Sequence, residues 1–392
     1  MAGPISRRLA LTAAVTLGGL GGLAGIVDLA TAATRGPRAP GPLRVGYLPI
    51  TDASPLLVAH EQGHFSRAGA DTDPPVLFRG WESLAQAFLA GEVDVVHLLM
   101  PFAVQLRYAL GARVRIIAWS HTNGSALTVS PQVRDIGDLA GRKVAVPFWW
   151  SIHNVVLQQM LRAAGLRPVV RTAPSVAEGT VQLLVMSPAD MLPALTTDTI
   201  SGYIVADPFN AAAELKKAGR VQRFVGDVWR DHACCVVMVR EDLVNGSPQV
   251  VQGLTDGLAE AQRWVDGNRV AGAKLLSDKR YLPQPLPAIT KALTRSADLH
   301  TRTEALHNPS WQGERIGFTP FPFPSYTAAL VTAMRETVVD GDKSFLDTLQ
   351  PAAVHRDLVD DRFIRRSLTR SGGAGTFGLP ESLTRVEEVR PQ

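Results

Sequence analysis

Two adjacent cysteines, Cys234 and Cys235, are the whole thiol content of this 392-residue chain, and His232 stands two residues before them. A disulfide between sequence neighbours closes a ring that departs from relaxed disulfide and peptide geometry, so the pair reads as free thiols. With His232 they offer at most three soft ligands, one short of a closed zinc site, and no metal is expected. A thiolate beside an imidazole is also the signature of a nucleophile, with His97 or His153 as partner, but no local motif around the cysteines marks one. A different chemistry recurs at four places: Asp52-Ala53-Ser54-Pro55, Met100-Pro101, Trp150-Ser151 and Asp207-Pro208 each read as a helix start following a strand. Helix N-termini gathered at strand carboxyl ends present free N–H groups and partial positive charge, which suits a small anion or polar solute.

Repeated strand–helix units must hold these segments. Strands are expected over Leu43–Leu48, Pro75–Phe78, Asp94–Leu99 and Val114–Trp119. Helices between them begin at Ser54-Pro55, Glu82 and Pro101 and stop near Gly63, Gly91 and Gly111. After Ser130 a second set follows: strands at Lys143–Pro147, Val169–Arg171 and Gly202–Val205, and helices opened by Ser151, by Ser187-Pro188 with Asp190, and by Asp207-Pro208. A late strand covers Val236–Val239, and Ser247-Pro248 opens a long amphipathic helix. Alternation of this kind predicts α/β lobes, each a mostly parallel sheet flanked by helices, with a helical C-terminal extension.

Composition excludes several alternatives. The chain is 46% hydrophobic and 19% charged, with a mean hydropathy of +0.06, which is not the make-up of a disordered chain. Forty Lys+Arg face 36 Asp+Glu without dense basic blocks, so no nucleic-acid partner is expected. Arg7-Arg8 ahead of an apolar, Gly-rich stretch, with Ala30-Thr31-Ala32 as a cleavage site, reads as a twin-arginine export signal over residues 1–32. The alternative is an uncleaved anchor, although the stretch is shorter than the ~20 residues a spanning helix needs. Residues 33–42 read as a linker, and the chain is expected to be exported to a periplasmic or extracytoplasmic location.

Six segments carry a resemblance. Gly46–Ala59, Gly80–Leu84, Val96–Pro101, Asn123–Leu127, His153-Asn154 with Ala163-Ala164-Gly165, and Val205–Asn210 are similar, in order, to nitrate- and bicarbonate-binding proteins of ABC importers. That family lies within the nitrate/sulfonate/bicarbonate/taurine solute-binding group. The resemblance implies a two-lobed periplasmic-binding-protein fold that closes by a hinge, with lobe 1 formed by 43–130 plus 232–370 and lobe 2 by 131–231; the Gly-rich residues 371–392 read on their own as a flexible tail. The resemblance also implies a non-enzymatic receptor for a small solute, working with an ABC permease and ATPase, while the paired arginines of the signal make the twin-arginine translocase its expected partner during export. The cleft is expected to be lined by Thr51, Asp52, Trp81, His97, Ser125, Ala126, Trp149, His153, Asp207 and Cys234, with no catalytic residues. Calcium assists some members with anions, but no clustered carboxylates here spell a calcium loop. Two departures bear on the solute. Asp231-His232-Ala233-Cys234-Cys235 stands where nitrate-type members carry a basic residue, and Ser125 replaces a glutamine. With Trp81, Trp149-Trp150 could sandwich a planar ligand, leaving a heterocycle or aromatic sulfonate as an alternative solute, and a desulfinase-like enzyme as an alternative activity.

Overall fold

The computed structural model describes residues 41–295, 305–308, 311 and 314–392. The signal over 1–32 and all but the last two residues of the linker lie outside the described residues. Strand β1 (Val45–Tyr47) runs parallel to β2 (Val76–Leu77) and β3 (Val95–Leu99), and β4 (Val114–Trp119) forms the far edge of this first sheet. Between β3 and β4 lies β12 (Cys235–Arg240), antiparallel to both. The second sheet holds β7 (Lys143–Val146), β8 (Arg167–Val169), β9 (Thr180–Val185) and β10 (Gly202–Ala206), all parallel. There β6 (Ser125–Val129) runs antiparallel to β10 and to the edge strand β11 (Arg220–Phe224). Each sheet is thus parallel except for the one strand that follows a crossing between lobes. Central strands β1, β3, β6 and β10 are buried along their whole length, as sheets covered by helices on both faces require.

Helices supply that cover. Ser54–Glu61 carries Pro55 in its first turn and is followed by Gly63 in the left-handed region (φ 71°), where glycine has no Cβ to clash. The 20-residue helix Pro248–Gly267 presses on the first lobe's helices through Gly253 and Gly257. A Cβ at Gly253 would stand 2.3 Å from the Ala68 carbonyl oxygen.

The first crossing comes earlier than expected. Asn123 (φ 60°) and Gly124 (φ 82°) turn the chain directly into β6, so Ser125–Val129 belongs to the second sheet and the boundary falls before Ser125, not at Ser130. The return crossing runs beside it. Asn123 Nδ2 donates to Asp231 Oδ1 (3.0 Å), Asn123 Oδ1 accepts from Asp231 N (3.0 Å), and Asn123 N donates to His232 O (2.9 Å). Strand β5 (Thr122–Asn123) of this crossing also pairs with β13 (Ile316–Gly317).

The C-terminal helices cover β4 and reach the second lobe. Val359 bridges Ile116, while the Val338 carbonyl accepts from Asn154 Nδ2 (3.2 Å) and Gln158 Nε2 (2.8 Å). The final residues, expected to be flexible, are instead docked on the return crossing. The buried Arg223 guanidinium, paired with Asp227, donates to the carbonyls of Arg390, Pro391 and Gln392. Trp229 Nε1 donates to Glu387 Oε2 (3.0 Å). A buried cation with several N–H groups needs acceptors, and the tail supplies them.

Candidate functional site

The carboxyl ends of β1, β3 and β4 in one lobe, and of β7, β9 and β10 in the other, meet at a seam with the starts of β6 and β12. Thr51, in the short turn Thr51–Ala53 that follows β1, clasps the other lobe: its N and Oγ1 both donate to the Asp207 carbonyl, at 2.8 and 3.0 Å. Ser187, expected to cap helix Pro188–Thr196, instead donates to the Arg79 carbonyl across the seam (3.1 Å). Phe102 and Phe148 pack against each other between the lobes, their centroids 4.4 Å apart and their planes tilted by 45°.

Inside this closure lies a cluster of buried polar side chains. Asp52 Oδ2 stands 2.8 Å from His121 Nε2, and both side chains are fully buried. Burial pushes the Asp52 carboxyl up to about 7 against the pull of His121. Burial works against the His121 cation too, but the facing carboxylate prevails and lifts it to about 10. His97, midway along β3, has its ring 6.2 Å from that of His121, and neither of its nitrogens has a partner. Burial holds it neutral, down to about 3. His232 is likewise neutral, its Nδ1 bonded to the Trp229 carbonyl (2.8 Å). Ser151 caps the helix Ile152–Ala163 by accepting from Asn154 N (3.1 Å), and this helix aims His153 from the second lobe. His153 Nε2 lies 2.9 Å from Ser125 Oγ and 3.8 Å from Cys234 Sγ, whose own neighbour Cys235 Sγ is 3.7 Å away. Burial opposes any thiolate here, yet the Cys235 thiol, His153 and His121 together draw the Cys234 thiol down, while Cys235 is driven up.

Of the residues expected from sequence, Asp52, His97, Ser125, His153 and Cys234 come together in this cluster, with Thr51 and Asp207 forming the clasp beside it. Asp207 itself faces Arg295 (3.6 Å) and accepts from Ala211 N at the start of helix Phe209–Leu215. Trp81 opens the helix Trp81–Leu89 and is buried, with Nε1 lacking a partner. Ala126 is a correction. Its neighbour Ser125 faces the cluster, and alternation along β6 turns the Ala126 methyl the other way, into apolar packing with Val221, Phe224 and Trp311. Trp150 is core, edge-on to Phe345 (5.2 Å), while Trp149 stays half-exposed. His121 was missed, while His232 and Cys235 were weighed as metal ligands or a nucleophile and not as cleft residues; His121 stands two residues past the β4 end at Trp119, a position that marks ligand-facing residues in such sheets. The donor set does not suit calcium, since one carboxylate stands among imidazoles and thiols. A solvent-open hollow bounded by Asp138, Lys143, Asp198 and Ser201 sits at the opposite, amino ends of β7 and β10.

Comparison with known proteins agrees with this architecture. The nitrate/nitrite binding protein NrtA of Nostoc sp. is 24% identical over 261 residues, covering 61% of this chain and 57% of the relative. The bicarbonate transport ATP-binding protein CmpC of Synechococcus elongatus is 28% identical over 313 residues, covering 71% of this chain and 46% of the relative. The chain thus spans about half the length of these curated relatives. The crystal structure of the periplasmic nitrate-binding protein NrtA from Synechocystis superimposes with a TM-score of 0.73 at 19% identity, covering 89% of this chain and 94% of that one. The fold is therefore that of a periplasmic binding protein. The segments that form the first lobe, both crossings, the second lobe and helix Pro248–Gly267 all fall within residues 36–277, where a single family model matches, and the chain belongs to the NMT1-like family.

Proposed function

We propose that the chain is the extracytoplasmic solute-binding component of an ABC importer, exported through the twin-arginine route, and that it takes a small anion or polar organic solute between its lobes. The observation that carries this reading is the seam, where buried polar side chains from both lobes converge on one place between two hinge crossings. The names of the relatives, nitrate/nitrite binding and bicarbonate transport, support the importer class and the partnership with a permease and an ATPase. The cluster holds imidazoles, a serine hydroxyl, two thiols and the internally paired Asp52 and His121 in place of a fixed Lys or Arg, which favours a solute held by hydrogen bonds over one held by an unpaired cation. Closure of the hinge around the solute is the working motion.

The test is a thermal-shift and calorimetric panel of nitrate, bicarbonate, alkyl and aryl sulfonates and planar heterocycles on the purified chain. One class is expected to raise the melting temperature, and Trp81→Ala and His153→Gln are expected to remove that rise. A panel without any shift removes the support. The 3.8 Å approach of Cys234 to His153 is the feature that favours an enzyme on this scaffold. Native thiol labelling decides that point, since cysteines that resist alkylation offer no nucleophile to a substrate.

A further inference from the structure

We propose that Asp52, His121, Cys234 and Cys235 form a binding centre for a thiophilic, tetrahedrally coordinated cation such as zinc, seated where the two crossings meet the first lobe. One donor atom from each of the four lies within 4.8 Å of every other, and all four side chains are buried. The two sulfurs are 3.7 Å apart. A tetrahedral ion with metal–sulfur bonds of about 2.3 Å demands a sulfur–sulfur edge of about 3.8 Å. Sequence neighbours reach this arrangement because Cys234 sits at a bend and β12 begins only at Cys235, so strand alternation does not separate them. The oxygen–nitrogen edge, 2.8 Å between Asp52 Oδ2 and His121 Nε2, needs to open by only about 0.5 Å to match bonds of about 2.0–2.1 Å.

Hydrogen bonding points the same way. His121 Nε2 faces the Asp52 carboxylate, which wants a proton donor, and the Cys235 N–H at 3.3 Å, which wants an acceptor. One nitrogen cannot serve both; a cation would bind its lone pair and the carboxylate oxygen together, at the expense of the long 3.3 Å contact from Cys235 N–H. Asp52 Oδ1 is buried without a partner. Two thiolates and a carboxylate around a divalent ion leave one excess negative charge. Helices Ser54–Glu61 and Ile152–Ala163 begin beside it with N-termini that favour such charge. The thiols and imidazole select a borderline-soft ion over calcium or magnesium. Asp52 and Cys234 also belong to the buried cluster on which the solute reading rests, but titration with metal alone tests this centre whether or not the importer reading holds.

The experiment uses the untagged, reduced, chelator-stripped chain titrated with zinc and, as a spectroscopic probe, cobalt(II). One ion per chain is expected, with a thiolate-to-cobalt charge-transfer band and d–d absorption of tetrahedral strength. Zinc is expected to raise the melting temperature and to shield both thiols from alkylation. Cys234→Ser and His121→Gln are expected to weaken zinc binding by about 100-fold or more, by analogy with the losses seen around metal sites. Their metal-free melting curves, compared with that of the stripped parent, show whether the variants fold. The cobalt spectrum of the parent decides independently of any variant. Absence of the thiolate band in the parent, or its persistence at undiminished intensity in both Cys234→Ser and Cys235→Ser, overturns the proposal.

Discussion

Asn123 offers the most direct perturbation of the hinge. Its amide makes two hydrogen bonds to Asp231, one of them to the carboxylate, and its backbone sits at φ 60°. Each lost bond costs about 1 kcal/mol, somewhat more where the acceptor is charged. An alanine held in the left-handed region adds about 1 kcal/mol. Asn123→Ala is therefore expected to destabilise the fold by about 3–4 kcal/mol. Asn123→Gly loses the same bonds but is at ease at that φ, at an entropic cost of about 0.5 kcal/mol, so about 2–3 kcal/mol is expected. The assay is guanidinium unfolding at 25 °C, followed by tryptophan fluorescence and by far-ultraviolet circular dichroism, because two lobes need not unfold together. A loss below about 1 kcal/mol for Asn123→Ala, or a glycine variant less stable than the alanine one, would refute the idea that this side chain fastens the crossings.

Three further outcomes follow from the packing. Deleting Arg385–Gln392 strips the buried Arg223 guanidinium of three carbonyl acceptors and is expected to cost about 3 kcal/mol or more; an unchanged unfolding midpoint would contradict the docked tail. Gly253→Ala drives a methyl onto the Ala68 carbonyl and is expected to lower stability by about 2–3 kcal/mol, whereas Gly246→Ala, with open space around it, should leave the melting temperature unchanged or slightly raised. His355 is depressed by burial to about 4, with Asp361 pulling weakly the other way, and its Nδ1 meets Thr327 Oγ1 at 3.0 Å. The folded state holds it neutral, so its contribution is complete above the unfolded value near 6.5 and is lost as pH falls toward 4, up to about 3 kcal/mol. His355→Gln should flatten that part of the stability–pH curve, and an equally steep curve would rule out His355 as its source.

The sequence made the strand–helix rhythm legible wherever punctuation was sharp. Ser151 caps its helix as read, and Gly63, Gly91 and Gly165 end theirs at positive φ. Strand β6 escaped because Ser125 and Thr128 break its apolar run. Both are buried only because the fold supplies partners, His153 to one and Asn210 to the other. That omission displaced the crossing to Ser130, and with it went His121, which a crossing placed at residues 120–124 would have put at a strand end. The tail looked mobile from its glycines, since nothing local announces that a buried arginine far back in the chain takes its carbonyls. Ser187 had the spacing of a capping box, but a carbonyl offered by the other lobe competed successfully for its hydroxyl.

The strand order of the two sheets also dictates a schedule for synthesis. All six strands of the second sheet come from one uninterrupted run, Ser125 to Phe224, so that lobe can close as soon as the run has been made. The first sheet cannot. Its β3 and β4 were made earlier, yet the strand that joins them, β12, comes only after the entire other lobe. Until Arg240 emerges, two apolar edges stand open, the kind of surface that invites pairing with another chain. The earliest-made lobe is therefore the last to mature, and the nascent protein is most exposed to aggregation during the interval in which its second lobe is already folded.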